Sequence, residues 1–212
     1  MNFKDIKRYV LKIDPIKTLY FNIKSFGFTT AIRFPVLISW GVKIISLKGK
    51  IHIQAPLTVG MILIGENCSW DQSGDVIFKG KARLGKKSHF FIGSTGLLTF
   101  GNNFWLTSDG EINCTESVSF GDNCLVAWDV DILDTDFHKI VESGKIINQN
   151  KKIQIGDHVW IGSRTTILKG TTIGPDVIIG SCSLLNKSYS DQFSIYAGNP
   201  AKLVKTGVTW EA

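Results

Sequence analysis

From Ile155 the chain repeats itself every six residues: Ile155-Gly156, Ile161-Gly162, Ile167-Leu168, Ile173-Gly174 and Ile179-Gly180 each open a hexad. The fifth place of each unit is small or β-branched, as in Val159, Thr165, Thr171, Val177 and Ser183. A period of six is neither the 3.6 of a helix nor the 2 of a strand. It suits a short strand plus a turn, with Ile toward an axis and Gly relieving the backbone where the chain bends. Three hexads close one triangular rung, and Ile155-Gly156 returns as Ile173-Gly174 after 18 residues. The pattern predicts an all-β chain built as a parallel β-helix.

The same pulse is present earlier but ragged. Ile64-Gly65, Leu84-Gly85, Phe100-Gly101 and Phe120-Gly121 are 20, 16 and 20 residues apart. They are read as successive rungs, which starts the coil near residue 50. Between Ile132 and Ile155 the count of 23 breaks the period. A segment around 134–152 therefore leaves the coil wall, and a loop leaving a solenoid is where function tends to sit. The expected organisation is a basic extension over 1–50, a coil over 51–200 with the loop 134–152 inserted, and a tail over 201–212.

Charge is distributed unevenly. Residues 1–50 hold ten Lys or Arg against Asp5 and Asp14, giving +8, whereas the whole chain carries +6. Phe3, Ile6, Val10 and Ile13 recur at helical spacing and predict a short helix with an apolar stripe and a Lys-rich back. That helix reads either as a lid on the end of the coil or as a peripheral contact with an anionic inner-membrane surface. Nucleic acid is not an expected partner, because nothing in the pattern supplies a groove-reading element. The scattered Cys68, Cys114, Cys124 and Cys182 form no CxxC pair. They are expected to be buried free thiols in a reducing, cytoplasmic setting. Six Trp and thirteen Phe exceed what a narrow axis is expected to hold, which places some of them at subunit contacts.

Of the four histidines only His138 falls in the segment that leaves the repeat. Its context, Asp134-Thr135-Asp136-Phe137-His138, sets two carboxylates close to an imidazole, which can hold one tautomer and stabilise the protonated ring. A histidine held this way is a competent general base, and a solvated or structural histidine is the alternative. His158 sits in the turn of a regular hexad, and His52 and His89 lie in the early coil.

The run Ile155-Gly156-Asp157-His158-Val159-Trp160-Ile161-Gly162-Ser163, the hexads after it and the closing Ala197-Gly198-Asn199-Pro200-Ala201-Lys202 resemble the hexapeptide-repeat acyltransferases, in the branch of maltose and galactoside O-acetyltransferases. Phe120-Gly121-Asp122-Asn123-Cys124 leading to Asp134-Thr135-Asp136-Phe137-His138 is similar to members from capsule and lipopolysaccharide gene clusters. The resemblance spans about residues 50–205. It implies a left-handed coil, an exception to the usual right-handed crossover, and a homotrimer with active sites between neighbouring coils. It also implies acetyl-CoA as acyl donor, a saccharide acceptor and no metal. By family position His138 is the base, and the N–H of Ser163 is an oxyanion donor. Ser163 and Ser181, one rung apart, line the pantetheine groove. Asn186 and Lys187 meet the cofactor further along, and Lys202 and Lys205 meet its phosphates.

The departures concern the acceptor. This chain has Trp128-Asp129 where sugar acetyltransferases of the branch often have Pro-Gly, and Asp136-Phe137-His138 where they often have a Thr-His pair. Asn113, Trp128, Asp134 and Asp136 are the candidate acceptor contacts. Cys182 stands where Gly is expected and narrows the presumed cofactor groove. The first reading is O-acetylation of a sugar hydroxyl of a capsule or O-antigen precursor. The alternatives are N-acetylation of a nucleotide-linked amino sugar and a non-catalytic trimeric scaffold. A carbonic anhydrase would need His89, His138 and His158 to converge.

Overall fold

The computed structural model describes residues 12–211. Three sheets wall a parallel coil: nine strands from Val36–Ile38 to Lys202–Thr206 in the first, seven from Lys43–Leu47 to Leu184–Leu185 in the second, and seven from Ile51–Ile53 to Ser188–Tyr189 in the third. Each strand pairs in parallel with the strand one rung away until Lys202–Thr206 turns back antiparallel on Ser194–Ala197. Inward positions stack on inward positions, as where Val126 meets Ile161 and Ile161 meets Ile179.

The coil starts earlier than the hexads suggest. Val36–Ile38 already pairs with Ile62–Ile64, with Val36 opposite Ile62, so the presumed extension supplies the first rung. That rung spans 26 residues and contains a bulge between Ile44 and Ser46, and both features hide the period. The ragged pulse also has a different meaning. Ile64 does pair with Leu84, but Leu84 pairs with Leu106, while Phe100 lies in the third sheet opposite Phe78. The interval of 16 therefore crosses from one wall to another within a rung.

These early rungs return after 20 or 22 residues rather than 18, and the larger circumference admits aromatic rings. Phe78, Phe100 and Phe120 stack with centroids 5.1 and 5.7 Å apart, close to the ~4.8 Å separation of paired strands. Trp70, Phe90 and Phe104 are also fully buried. The axis thus takes these six rings, while Trp105, Trp128 and Trp160 remain exposed outside it.

The hexad glycines do not serve the bend. The residue in the left-handed region comes two places later and is not glycine: His158, Arg164, Asp176 and Cys182 have φ of 54, 57, 57 and 59°. The glycines are required by close approach. A Cβ at Gly162 would stand 2.6 Å from the backbone nitrogen of Ser181, and one at Gly156 would stand 2.7 Å from that of Pro175.

Helix α1 (Pro15–Phe26) and the short α2 (Phe28–Ala31) precede the coil. The Asp14 carboxylate caps α1 by accepting the Lys17 N–H at 3.0 Å. The buried side of α1 closes the coil's first edge with side chains. Asn22 donates to the Val36 carbonyl and accepts the Val36 N–H, and the Thr18 hydroxyl accepts the Ile38 N–H. The helix expected over Phe3, Ile6 and Val10 lies outside the described residues, and Ile13 makes an antiparallel bridge to Ser39 instead. Cys68, Cys114 and Cys124 are buried thiols, the latter two pushed up to about 12 by burial, whereas Cys182 is exposed.

This division of labour is testable in denaturant. Gly162→Ala forces the next rung's backbone to move and should cost ~1–3 kcal/mol, whereas Cys182→Gly, at a left-handed position, should stay within about 1 kcal/mol of wild type.

Candidate active site

The loop leaves the coil after Asp131–Leu133 and returns at Ile153–Ile155. Its neck is closed by the Lys151 N–H donating to the Asp134 carbonyl at 3.1 Å and by the Asp134 N–H donating to the Asn113 carbonyl at 3.2 Å. The Asp134 side chain is fully buried beneath it. One carboxylate oxygen accepts the Thr115 N–H and hydroxyl at 2.8 and 2.9 Å, and the other accepts the Glu116 N–H at 2.8 Å. Asp134 is therefore not an acceptor contact. Its charge is directed at the coil's own backbone, and it anchors the loop.

Asp136 has a comparable role nearer the surface. Its carboxylate bonds to the Lys169 ammonium and accepts the Asn148 side-chain amide at 2.7 Å. Those two bonds, Lys169 first, hold its carboxyl below the usual carboxylate range. The expected pair of carboxylates orienting the imidazole is therefore not formed. His138 is held through its backbone: its N–H donates to the Asp136 carbonyl at 2.6 Å, and its carbonyl accepts the Asn148 amide at 2.8 Å. The ring itself is exposed. Asn148 also accepts the Ile140 N–H at 2.6 Å, so one amide ties three points of the loop together. Beyond it Val141–Glu142 and Lys145–Ile146 form a hairpin whose turn residues Ser143 and Gly144 both have positive φ, 49 and 77°.

Asn113 lies on the outer face of the second sheet between Phe91 and Leu133, nearly buried, and donates to the Glu111 carboxylate at 2.8 Å. Phe137 folds back to within 5.8 Å of the Phe91 ring. Asn113 and the His138 loop are thus neighbours at one corner of the coil, between the second and third sheets.

Trp128, Ser163 and Ser181 form a file along a different corner, between the first and second sheets. The Trp128 carbonyl accepts the Arg164 N–H, the Ser163 carbonyl accepts the Cys182 N–H, and the Ser163 hydroxyl reaches that of Ser181 at 3.3 Å. Trp128, 54% exposed, therefore heads the serine file rather than sitting beside His138. Among the described residues the Ser163 N–H donates to no protein acceptor. Asn186 and Lys187 are exposed at the next corner, where the Asn186 N–H donates to the Tyr189 hydroxyl at 3.3 Å. Lys202 and Lys205 lie exposed on the final antiparallel strand. Of the other histidines, His89 bonds Ser69 at 2.7 Å, and His158 bonds Asp176 at 2.9 Å and stacks on Trp210.

Thr115, Asn148 and Lys169 were not singled out by the sequence. Their partners are 19, 12 and 33 residues away, and no local pattern marks them.

The family model of the bacterial transferase hexapeptide (six repeats) matches residues 152–187. The polysialic acid O-acetyltransferase of Neisseria meningitidis is 42% identical over 106 residues, which are 48% of this chain and 49% of that protein. The putative lipopolysaccharide biosynthesis O-acetyl transferase WbbJ of Escherichia coli (strain K12) is 30% identical over 120 residues, 52% of this chain and 61% of that protein. The chain thus spans about half the length of the curated relatives it matches. Among solved structures, the polySia specific acetyltransferase NeuO superposes with a TM-score of 0.55 at 25% identity, covering 84% of this chain and 88% of that one.

The Asp136 carboxylate, being lowered, stabilises the loop at pH above its ordinary value of 3.8, and that contribution disappears as pH falls through the lowered value. Lys169→Met should move the Asp136 titration upward in a carboxyl NMR experiment and broaden the resonances of residues 136–148. An unmoved titration would show that the ion pair does not hold the loop.

Proposed function

This chain carries the bacterial transferase hexapeptide repeat on a left-handed parallel β-helix, and from that premise we propose that it is an acetyl-CoA-dependent O-acetyltransferase acting on a saccharide hydroxyl. The acceptor class is a capsular polysaccharide or O-antigen precursor. The observation that carries this reading is an outward histidine on a cross-braced loop, on the same coil as a file of small hydroxyl-bearing corners one rung apart.

The two halves of the site sit at different corners. The three-residue strand Asp131–Leu133, roughly 10 Å of wall at ~3.3 Å per residue, separates the serine corner from the corner where the His138 loop leaves. One coil does not bring its own imidazole to its own serine file. A ring of copies does, each offering its loop to the serine corner of the next, and this favours a trimer with shared sites. His138 takes the proton of the acceptor hydroxyl as that oxygen attacks the thioester carbonyl carbon. The N–H of Ser163 receives the developing oxyanion. When the intermediate collapses, the carbon–sulfur bond breaks, the acetyl ester remains on the sugar, and the CoA thiolate takes the proton back from the imidazolium.

Ser163 and Ser181 let the pantetheine arm approach the backbone closely. Asn186 and Lys187 meet it further along, and Lys202 and Lys205 provide cations for the phosphates. Asn113 and Trp128 stand where an acceptor ring would enter from the two corners. The likeness to a polysialic acid O-acetyltransferase and to a putative lipopolysaccharide biosynthesis O-acetyl transferase supports a polysaccharide acceptor.

His138→Ala should leave acetyl-CoA binding intact by calorimetry and lower transfer by at least ~10². Co-expressing His138→Ala with a Ser163→Trp chain tests the shared site. Each variant alone should be inactive, while random mixing in a ring should restore roughly a quarter of wild-type activity. No recovery would mean that each coil supplies a whole site.

A further inference from the structure

Helix α1 buries Phe21 in the core but leaves a second apolar stripe outside. Its buried positions include Thr18 and Asn22, which must face inward because they complete the hydrogen bonds of Val36 and Ile38. Its outward positions are apolar: Ile16 is 78% exposed, Leu19 40%, Tyr20 53% and Ile23 38%. Their spacing, i, i+3, i+4 and i+7, is that of a helix stripe made for burial, yet it faces away from the protein. Phe28 and Ile32, exposed to 69% and 58%, extend the surface beyond Gly27. Isolated exposed apolar residues need no explanation, but a continuous stripe implies something that covers it.

The surrounding charge selects the cover. The first turn of α1 contains no acidic residue, and the Asp14 carboxylate is already paired with Lys17. Lys24 follows Ile23 by one position and stands on the shoulder of the stripe, with Arg33 beside Ile32. Residues 1–50 carry ten cations against two anions, while the rest of the chain is slightly acidic. A second copy docking through this face would bring like charges together. A surface that is apolar inside and anionic outside complements it.

We propose that α1 and α2 form an in-plane docking face for an anionic lipid bilayer. Ile16, Leu19, Tyr20, Ile23 and Phe28 enter the boundary between headgroups and acyl chains, and Lys24 and Arg33 meet the phosphates. Tyr20 suits that depth because its ring is apolar and its hydroxyl polar. A helix of 12 residues is too short to cross a bilayer, and no helix among the described residues is long and apolar enough to do so. The face lies at the opening end of the coil, and the loop emerges from the fifth strand of the second sheet. Four rungs at ~4.8 Å put the loop's neck about 19 Å from the first rung, within reach of a saccharide carried on a membrane lipid.

The test is flotation of the full chain with vesicles of phosphatidylcholine containing phosphatidylglycerol at roughly one lipid in three, against phosphatidylcholine alone. Wild type should float with the anionic vesicles. An Ile16→Ser, Leu19→Ser, Ile23→Ser variant should bind at least ~10-fold less, and so should Lys24→Glu with Arg33→Glu, both with unchanged melting because the altered side chains are exposed. Absence of wild-type flotation, or equal flotation by the serine variant, overturns the proposal. A smaller particle by light scattering for the serine variant also overturns it, in favour of a contact between copies. The readout is lipid binding alone, so its failure is independent of the transferase reading.

Discussion

Every rung of this protein is buried only by the rungs next to it, so each inward side chain must sit directly on the inward side chain of its neighbour at the spacing of paired strands. The match of Val126 with Ile161 and Ile179, and the stack of Phe78, Phe100 and Phe120, are two solutions to that one constraint. Rungs of 18 residues stack branched aliphatics, and the rungs of 20 to 22 stack rings at Phe78, Phe100 and Phe120 beside aliphatics at Ile64, Leu84 and Leu106. The glycines obey the same constraint from the backbone side, since at Gly156 and Gly162 the next rung passes too close for a Cβ.

A chain so regular can open only where the opening is sealed. Three hydrogen bonds from Thr115 and Glu116 to the buried Asp134 carboxylate provide the seal at the loop's neck, and bonds to a charged acceptor are worth more than neutral ones. With the neck closed, residues 135–151 leave the wall without disturbing the register of Asp131–Leu133 on Thr166–Leu168. Lys169 and Asn148 then stiffen the outer part through Asp136. The acidic residues beside His138 thus hold the loop in place, and the histidine keeps a free ring.

The ends of the coil carry the same logic. An open strand edge at Val36–Ile38 is satisfied by Asn22 and Thr18, which turn inward beside the core residue Phe21 and leave the stripe of Ile16, Leu19, Tyr20 and Ile23 outward. A hydrophobic stripe read along the chain would be assigned to the core. Here backbone satisfaction prevails, because an unpaired buried N–H or C=O costs more than leaving apolar surface exposed where a partner can cover it.

The hexads from Ile155 onward, the break before them and the isolation of His138 were legible in the residues, because a solenoid writes its period directly into the chain and a loop interrupts it. The early rungs were legible only in part: Leu84 and Phe100 resemble one another in sequence but stand on different walls. What only the tertiary structure decided was which polar groups meet. Asp134 finds Thr115, Asp136 finds Lys169, and Trp128 heads the file of Ser163 and Ser181, across 19, 33 and 35 residues. Hydrophobic stacking is periodic and so is recorded locally. A hydrogen bond is set by direction and distance between two particular atoms, and the coil must close before those atoms meet.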